Sequence, residues 1–145
     1  MSGRQAKAIA AVLSLIAALA YLRDPPWIGD VTSGMREWEH IDPEMAFRWT
    51  NGRASMFIPS SATAVMIPLR SQFPAQGGRP VIVEIRADDR FLATIALPEP
   101  DVWVRHELPL GNRPTHRRFR RIDFHVDRVI QERLLGVMTG PPTTR

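Results

Sequence analysis

Asp123, His125 and Asp127 alternate along one short stretch, so in an extended strand all three project from the same face. With His106 or His116 brought near, they compose a donor set suited to a hard or borderline metal cation. The residues between them, Ile122, Phe124 and Val126, are apolar. The same pattern therefore also describes the solvent face of a half-buried strand. Just upstream lies the densest charge feature of the chain: Arg113, His116, Arg117, Arg118, Arg120 and Arg121. Guanidinium groups pair well with phosphate. Arg113, Arg117 and Arg118 are thus candidates to bind a lipid headgroup, a lipid-linked phosphate or an acidic glycan. Read as plain surface, the same run protects a strand edge from aggregation. Strand alternation puts Arg118 and Arg120 on one face and Arg117 and Arg121 on the other. Trp103 is out of phase with Val102 and Val104, so it is expected to face away from that apolar row and to offer a ring for stacking on sugar. Trp49 is in phase with Phe47 and reads as core, while Trp27 and Trp38 read as membrane-interface anchors.

Nothing comparable points to catalysis. Ser60-Ser61 has no glycine elbow around it, and Gly77-Gly78 is a lone turn, not a phosphate-cradling loop. There is no cysteine, which excludes a disulfide framework and any thiolate site. The expectation is a protein that is not an enzyme and has no cofactor.

These residues must be held by a chain of 145, which has room for one domain with a real core. Of its 19 Lys and Arg, Arg4, Lys7 and Arg23 fall in the first 23 residues, where there is no acid; the remainder carries 16 basic and 15 acidic residues. The body is close to neutral, and nucleic acid is not expected as a partner. Thirteen prolines and nine glycines suit many short strands joined by turns.

The stretch Ala8 to Leu22, AIAAVLSLIAALAYL, is uncharged and stopped by Arg23-Asp24-Pro25-Pro26. As a helix it rises only about 22 Å, against a hydrocarbon core of roughly 30 Å. Arg4 and Lys7 extend the usable span by snorkelling, and Tyr21 and Trp27 suit the far interface. A cleaved signal peptide fits as well, with Ala18-Leu19-Ala20 as the small-x-small site. Residues 1–23 are therefore a membrane anchor or a signal peptide. Either way the positive flank stays inside, and the C-terminal domain is expected on the non-cytoplasmic side, periplasmic or extracellular.

Residues 24–43 read as a structured linker, with Trp38-Glu39 a candidate opening of the first strand, and 44–140 as a domain of short strands, followed by a tail at 141–145. Phe47 and Trp49 alternate with polar neighbours, and Asn51-Gly52 then predicts a hairpin turn. Ala54, Met56 and Ile58 form the next row. Val65, Ile67 and Leu69 follow, with Pro68 predicting an edge strand or a bulge. Val81, Val83 and Ile85 alternate up to a tight turn at Ala87-Asp88-Asp89-Arg90, which leads into Phe91 to Leu97. Val102, Val104, His106 and Leu108 share a face, and Leu134 to Met138 closes the sheet. Some eight strands with almost no helical period predict an all-β, antiparallel two-sheet sandwich behind one hydrophobic helix.

Three segments, DPPWIGDVTSGMREWE (24–39), FRWTNGRASMFIP (47–59) and RRIDFHVDR with LLGVMTGP (120–128 and 134–141), carry a resemblance to a known module. It resembles the jelly-roll domain at the C-terminal end of some bacterial polytopic membrane glycosyltransferases. The polytopic catalytic part has no counterpart here, so the resemblance implies no transferase activity. It implies a jelly roll beside a membrane, in envelope glycan or glycolipid biology. The expected function is a non-catalytic, membrane-tethered binding module, with a scaffolding subunit docked on a membrane glycosyltransferase or another membrane protein as the alternative. A small hydrolase is the third reading. The expected partners are the membrane through Ala8 to Leu22, a glycan or lipid-linked phosphate, and a membrane protein.

Overall fold

A computed structural model of the chain describes residues 3–42, 45–74, 77–112, 116–130 and 135–145. Helix α1 runs Gly3–Arg23, and every one of its residues is exposed. Its 21 residues give a length of about 31 Å, and it is long and apolar enough to cross a membrane. The extra length over the uncharged stretch comes from the basic first turns, which continue the helix. A short 3₁₀ turn at Pro26–Asp30 begins the descent into the body.

The body is an antiparallel two-sheet sandwich. Its strands are β1 (Thr32–Met35), β2 (Glu39–Asp42), β3 (Met45–Pro59), β4 (Ala64–Arg70), β5 (Val81–Ala87), β6 (Arg90–Leu97), β7 (Val104–Pro109), β8 (Phe119–Val126), β9 (Met138–Thr139) and β10 (Thr143–Thr144). The first sheet runs β1-β3-β8-β5-β6, with registers such as Met56 opposite Ile122 and Ile85 opposite Phe124. In the second, β4 is central, with β7 on one edge and β9 and β10 on the other. β9 in turn joins β4 to the first half of β3, and β2 continues the sheet. The chain changes sheet between β3 and β4, β4 and β5, β6 and β7, and β7 and β8, a jelly-roll-like path.

β3 belongs to both sheets, and this corrects the hairpin expected at Asn51-Gly52. The 15-residue strand passes through that dipeptide without turning, and neither residue is among those with positive φ. What changes there is phase: Phe47 and Trp49 are buried before it, Ala54, Met56 and Ile58 after it. Thr50 sits at the switch with its hydroxyl donating to the Val137 carbonyl at 2.9 Å and accepting from the Val137 N–H at 3.1 Å. A Cβ on Gly136 would fall 3.0 Å from Thr50 Oγ1, so this closure is tight and favours glycine.

Three further expectations differ. Pro68 lies in a central strand, not at an edge. Its carbonyl accepts from the Gly140 N–H at 3.0 Å in the gap between β9 and β10, where a missing donor costs no ladder bond. The stretch read as linker supplies β1 and β2, and the stretch read as tail supplies β10. β7 begins at Val104, and Val102 is exposed.

The alternating rows of β4, β5 and β8 form the core as expected, with Val65, Ile67, Leu69, Val81, Val83, Ile85, Ile122 and Phe124 fully enclosed. The Asp88-Asp89 turn between β5 and β6 has positive φ at both positions (48° and 66°), the backbone of a tight hairpin.

Candidate functional site

The outer face of the second sheet carries a second, smaller apolar cluster of Phe47, Trp49, Leu135 and Met138. Trp103, at the entrance to β7, packs against it while staying half-buried. Its ring and the outer-facing Met66, Pro68 and Arg105 line a groove of about 250 Å³, closed by Gly140, Pro141 and Thr143. The Arg70 guanidinium lies 5.9 Å from the ring centroid and is held in place by Asp101, with Nη2 to Oδ1 at 2.7 Å. Asp101 is itself fixed by positive φ (62°) and a bond from its N–H to the Ser71 carbonyl at 2.7 Å. The Trp103 ring, Arg105 and Thr143 thus line one groove, with the Arg70 guanidinium beside the ring. This chemistry suits a neutral or acidic sugar: ring stacking for the C–H face, charged donors for hydroxyls or carboxylates. Trp103 turns away from Val104 as its phase predicts. Of the apolar cluster beneath it, Phe47 and Trp49 were legible as core; Leu135 and Met138, which complete it, come from a distant segment.

Asp123 and His125 share one face of β8, as alternation requires, while Asp127 lies just past its end, and each of the three has its own engagement. Asp123 binds Arg121 Nε at 2.9 Å, and Arg121 reaches Asp89 with Nη2 at 2.5 Å. The hydrogen bond to Asp123, aided by the charges of Asp123, Asp89 and Asp88, raises the Arg121 pKa above its ordinary value. His125 Nδ1 lies 4.0 Å from Glu84, which is bound to Arg86 at 2.6 Å. Asp127 accepts from the Ile82 N–H at 2.9 Å and so ties β8 to β5. His106 is in the other sheet and His116 at the far end of β8. Among the described residues no three histidine or carboxylate side chains converge on a cation position.

The arginine run does not act as one patch. Arg113 lies outside the described residues. Arg118 precedes β8 and does not share a strand face with Arg120. Arg120 is 3% exposed and points into the sandwich, where it binds Asp88 Oδ2 at 3.1 Å and the carbonyls of Leu110 and Gly111 at 3.2 and 3.4 Å. Asp88 accepts from the Arg121 N–H as well, at 3.0 Å, so the β5–β6 turn is fastened to β8 through one carboxylate. Arg117 and Arg118 remain exposed and lie by the end of α1.

Trp38 is exposed and stacks under Arg48, with the guanidinium carbon 4.3 Å from the ring centroid. Arg48 also donates to Thr32 Oγ1 at 3.4 Å, while its Nε is buried without a hydrogen-bond partner among the described residues. Desolvation holds its pKa below the ordinary arginine value. This cluster pins β1 and the approach to β2 onto β3.

No family model matches the chain. No curated protein matches it either. Among solved structures, a family two carbohydrate esterase from Clostridium thermocellum, in complex with cellohexaose, is similar over 79% of this chain at 11% identity with a TM-score of 0.49. This chain spans 31% of that one.

Proposed function

We propose that the chain is a membrane-tethered, exported β-sandwich module that binds envelope glycan or glycolipid and catalyses nothing itself. The observation that carries this reading is the Trp103 groove, where a half-buried indole lines a groove together with Arg105 and Thr143 and has the Arg70 guanidinium 5.9 Å from its ring centroid. The resemblance to the jelly-roll end of membrane glycosyltransferases supports the same assignment.

The tether is α1, retained in the mature protein. Two features support retention over cleavage. The Ala18-Leu19-Ala20 site lies inside a continuous helix, and the apolar character runs on past it through Tyr21 and Leu22. Arg4 and Lys7 on its amino side favour an inside position for that end, which leaves the sandwich outside.

The test is retention of the full chain, in detergent, on immobilised neutral and acidic oligosaccharides. Trp103→Ala is expected to lower retention about tenfold, the equivalent of roughly 1.4 kcal/mol. Trp38→Ala, which alters an exposed indole elsewhere, is expected to leave it unchanged. No retention of the wild type on any oligosaccharide, or equal losses in both variants, would contradict the reading.

A further inference from the structure

The carboxyl end of α1 does not hang free of the sandwich. Asp24 accepts the Arg118 N–H on both carboxylate oxygens at 3.1 Å, and its Oδ2 lies 3.6 Å from Arg118 Nε. Pro25 is buried. Gly29 sits so close to the Phe119 ring that an added Cβ would fall 2.5 Å from Cε1. These contacts set the last turns of the helix against residues 116–119 and leave a cleft of about 890 Å³ between them.

The two walls of that cleft differ in chemistry. One, from the apolar helix, is Ala17, Ala20 and the ring of Tyr21, with Arg23 at its end; the other is His116, Arg117 and Arg118. Among the described residues that line it, Asp24 is the one acid, and it is committed to Arg118. The carbonyl end of a helix carries about half a negative charge. Among the described lining residues, three guanidinium groups outnumber this half charge and Asp24 together and leave the cleft positive. With Ala8–Leu22 in the hydrocarbon, Arg23 marks the boundary, and the cleft falls at headgroup depth.

We propose that this cleft seats the phosphodiester of an anionic phospholipid, with its acyl chain along the Ala17–Ala20–Tyr21 wall and its phosphate on Arg23, Arg117 and Arg118. The inference rests on the tether reading, since only a membrane-inserted α1 brings lipid to this depth. A zwitterionic lipid offers the same phosphate but adds a cation that the basic wall repels. A soluble anion offers the charge and leaves the apolar wall unused. Guanidinium–phosphate pairing supplies the polar half of the recognition.

The experiment uses the full chain in vesicles of mixed phosphatidylcholine and phosphatidylglycerol. Flotation first reports insertion; gentle detergent extraction and analysis of the retained lipid then report selectivity. Several-fold enrichment of phosphatidylglycerol over the vesicle composition is expected. It should vanish in Arg23→Gln with Arg117→Gln and persist in Arg53→Gln with Arg90→Gln, which removes equal charge from exposed positions outside the cleft. Absence of enrichment in the wild type, or equal loss in both double variants, overturns the proposal. Displacement of the lipid by inorganic phosphate also overturns it, because the site would then read a free anion. A chain that floats without enrichment refutes the lipid site and leaves the tether standing, whereas a chain that fails to float refutes both.

Discussion

In α1, Leu13, Leu15 and Leu22 expose 60, 60 and 72% of their surface, whereas Leu69, Ile85 and Phe124 in the sandwich expose none. Both regions are built from aliphatic residues, so hydrophobicity alone does not account for the difference. The helix satisfies its own backbone within one segment and needs no partner in hydrocarbon. A strand leaves half its backbone groups open, so its aliphatic rows come with neighbours on both edges and a second sheet above. One region is apolar toward its surroundings and the other apolar toward itself. In water the helix would leave its side chains at a cost of about 25 cal/mol for every Å² of apolar surface.

Truncation should separate the two regions. Phe124→Ala removes a ring from the centre of the sandwich and is expected to cost about 3–5 kcal/mol in the denaturant unfolding of the full chain. Leu15→Ala, in the exposed helix, should leave the unfolding midpoint where it was. A comparable loss in both would mean that α1 packs on protein.

A second contrast lies within the charged residues of the sandwich. Asp88→Ala strands the buried Arg120 and frees the β5–β6 turn. Because Asp88 keeps part of its side chain in water, the expected cost is about 2 kcal/mol, below that of a fully enclosed pair. Asp101→Asn, at the exposed partner of Arg70, should cost less than about 1 kcal/mol. Asparagine also tolerates the positive φ found there. Thermal unfolding of the two variants side by side measures the gap.

The buried rows of β4, β5 and β8 were legible in the sequence because each strand holds one phase from end to end, and the helix because its composition is uniform. β3 was not, for a local reason. Asn51-Gly52 carries the same signature whether the chain reverses or merely crosses from one sheet to the other, and only the burial of Trp49 and Thr50 together distinguishes the two. β1 and β2 are too short for alternation to register, and both pairings carry a register shift. Arg120 looked like its neighbours because its carboxylate partner lies 32 positions away. The Trp103 groove was half legible: phase gave the direction of the ring, while its floor depends on β9, which is only two residues long.

Because the chain contains no cysteine, a single introduced thiol reports its own surroundings without background. Gly3→Cys lies at the start of α1 in open space, and Glu99→Cys lies in the exposed turn after β6. In intact bacterial spheroplasts treated with a membrane-impermeant maleimide, the account predicts labelling of Glu99→Cys at once and of Gly3→Cys only after permeabilisation, with both proteins in the membrane fraction. Labelling of Gly3→Cys in intact spheroplasts with protection of Glu99→Cys, or recovery of both proteins in the soluble fraction, would contradict a retained helix with an exported sandwich.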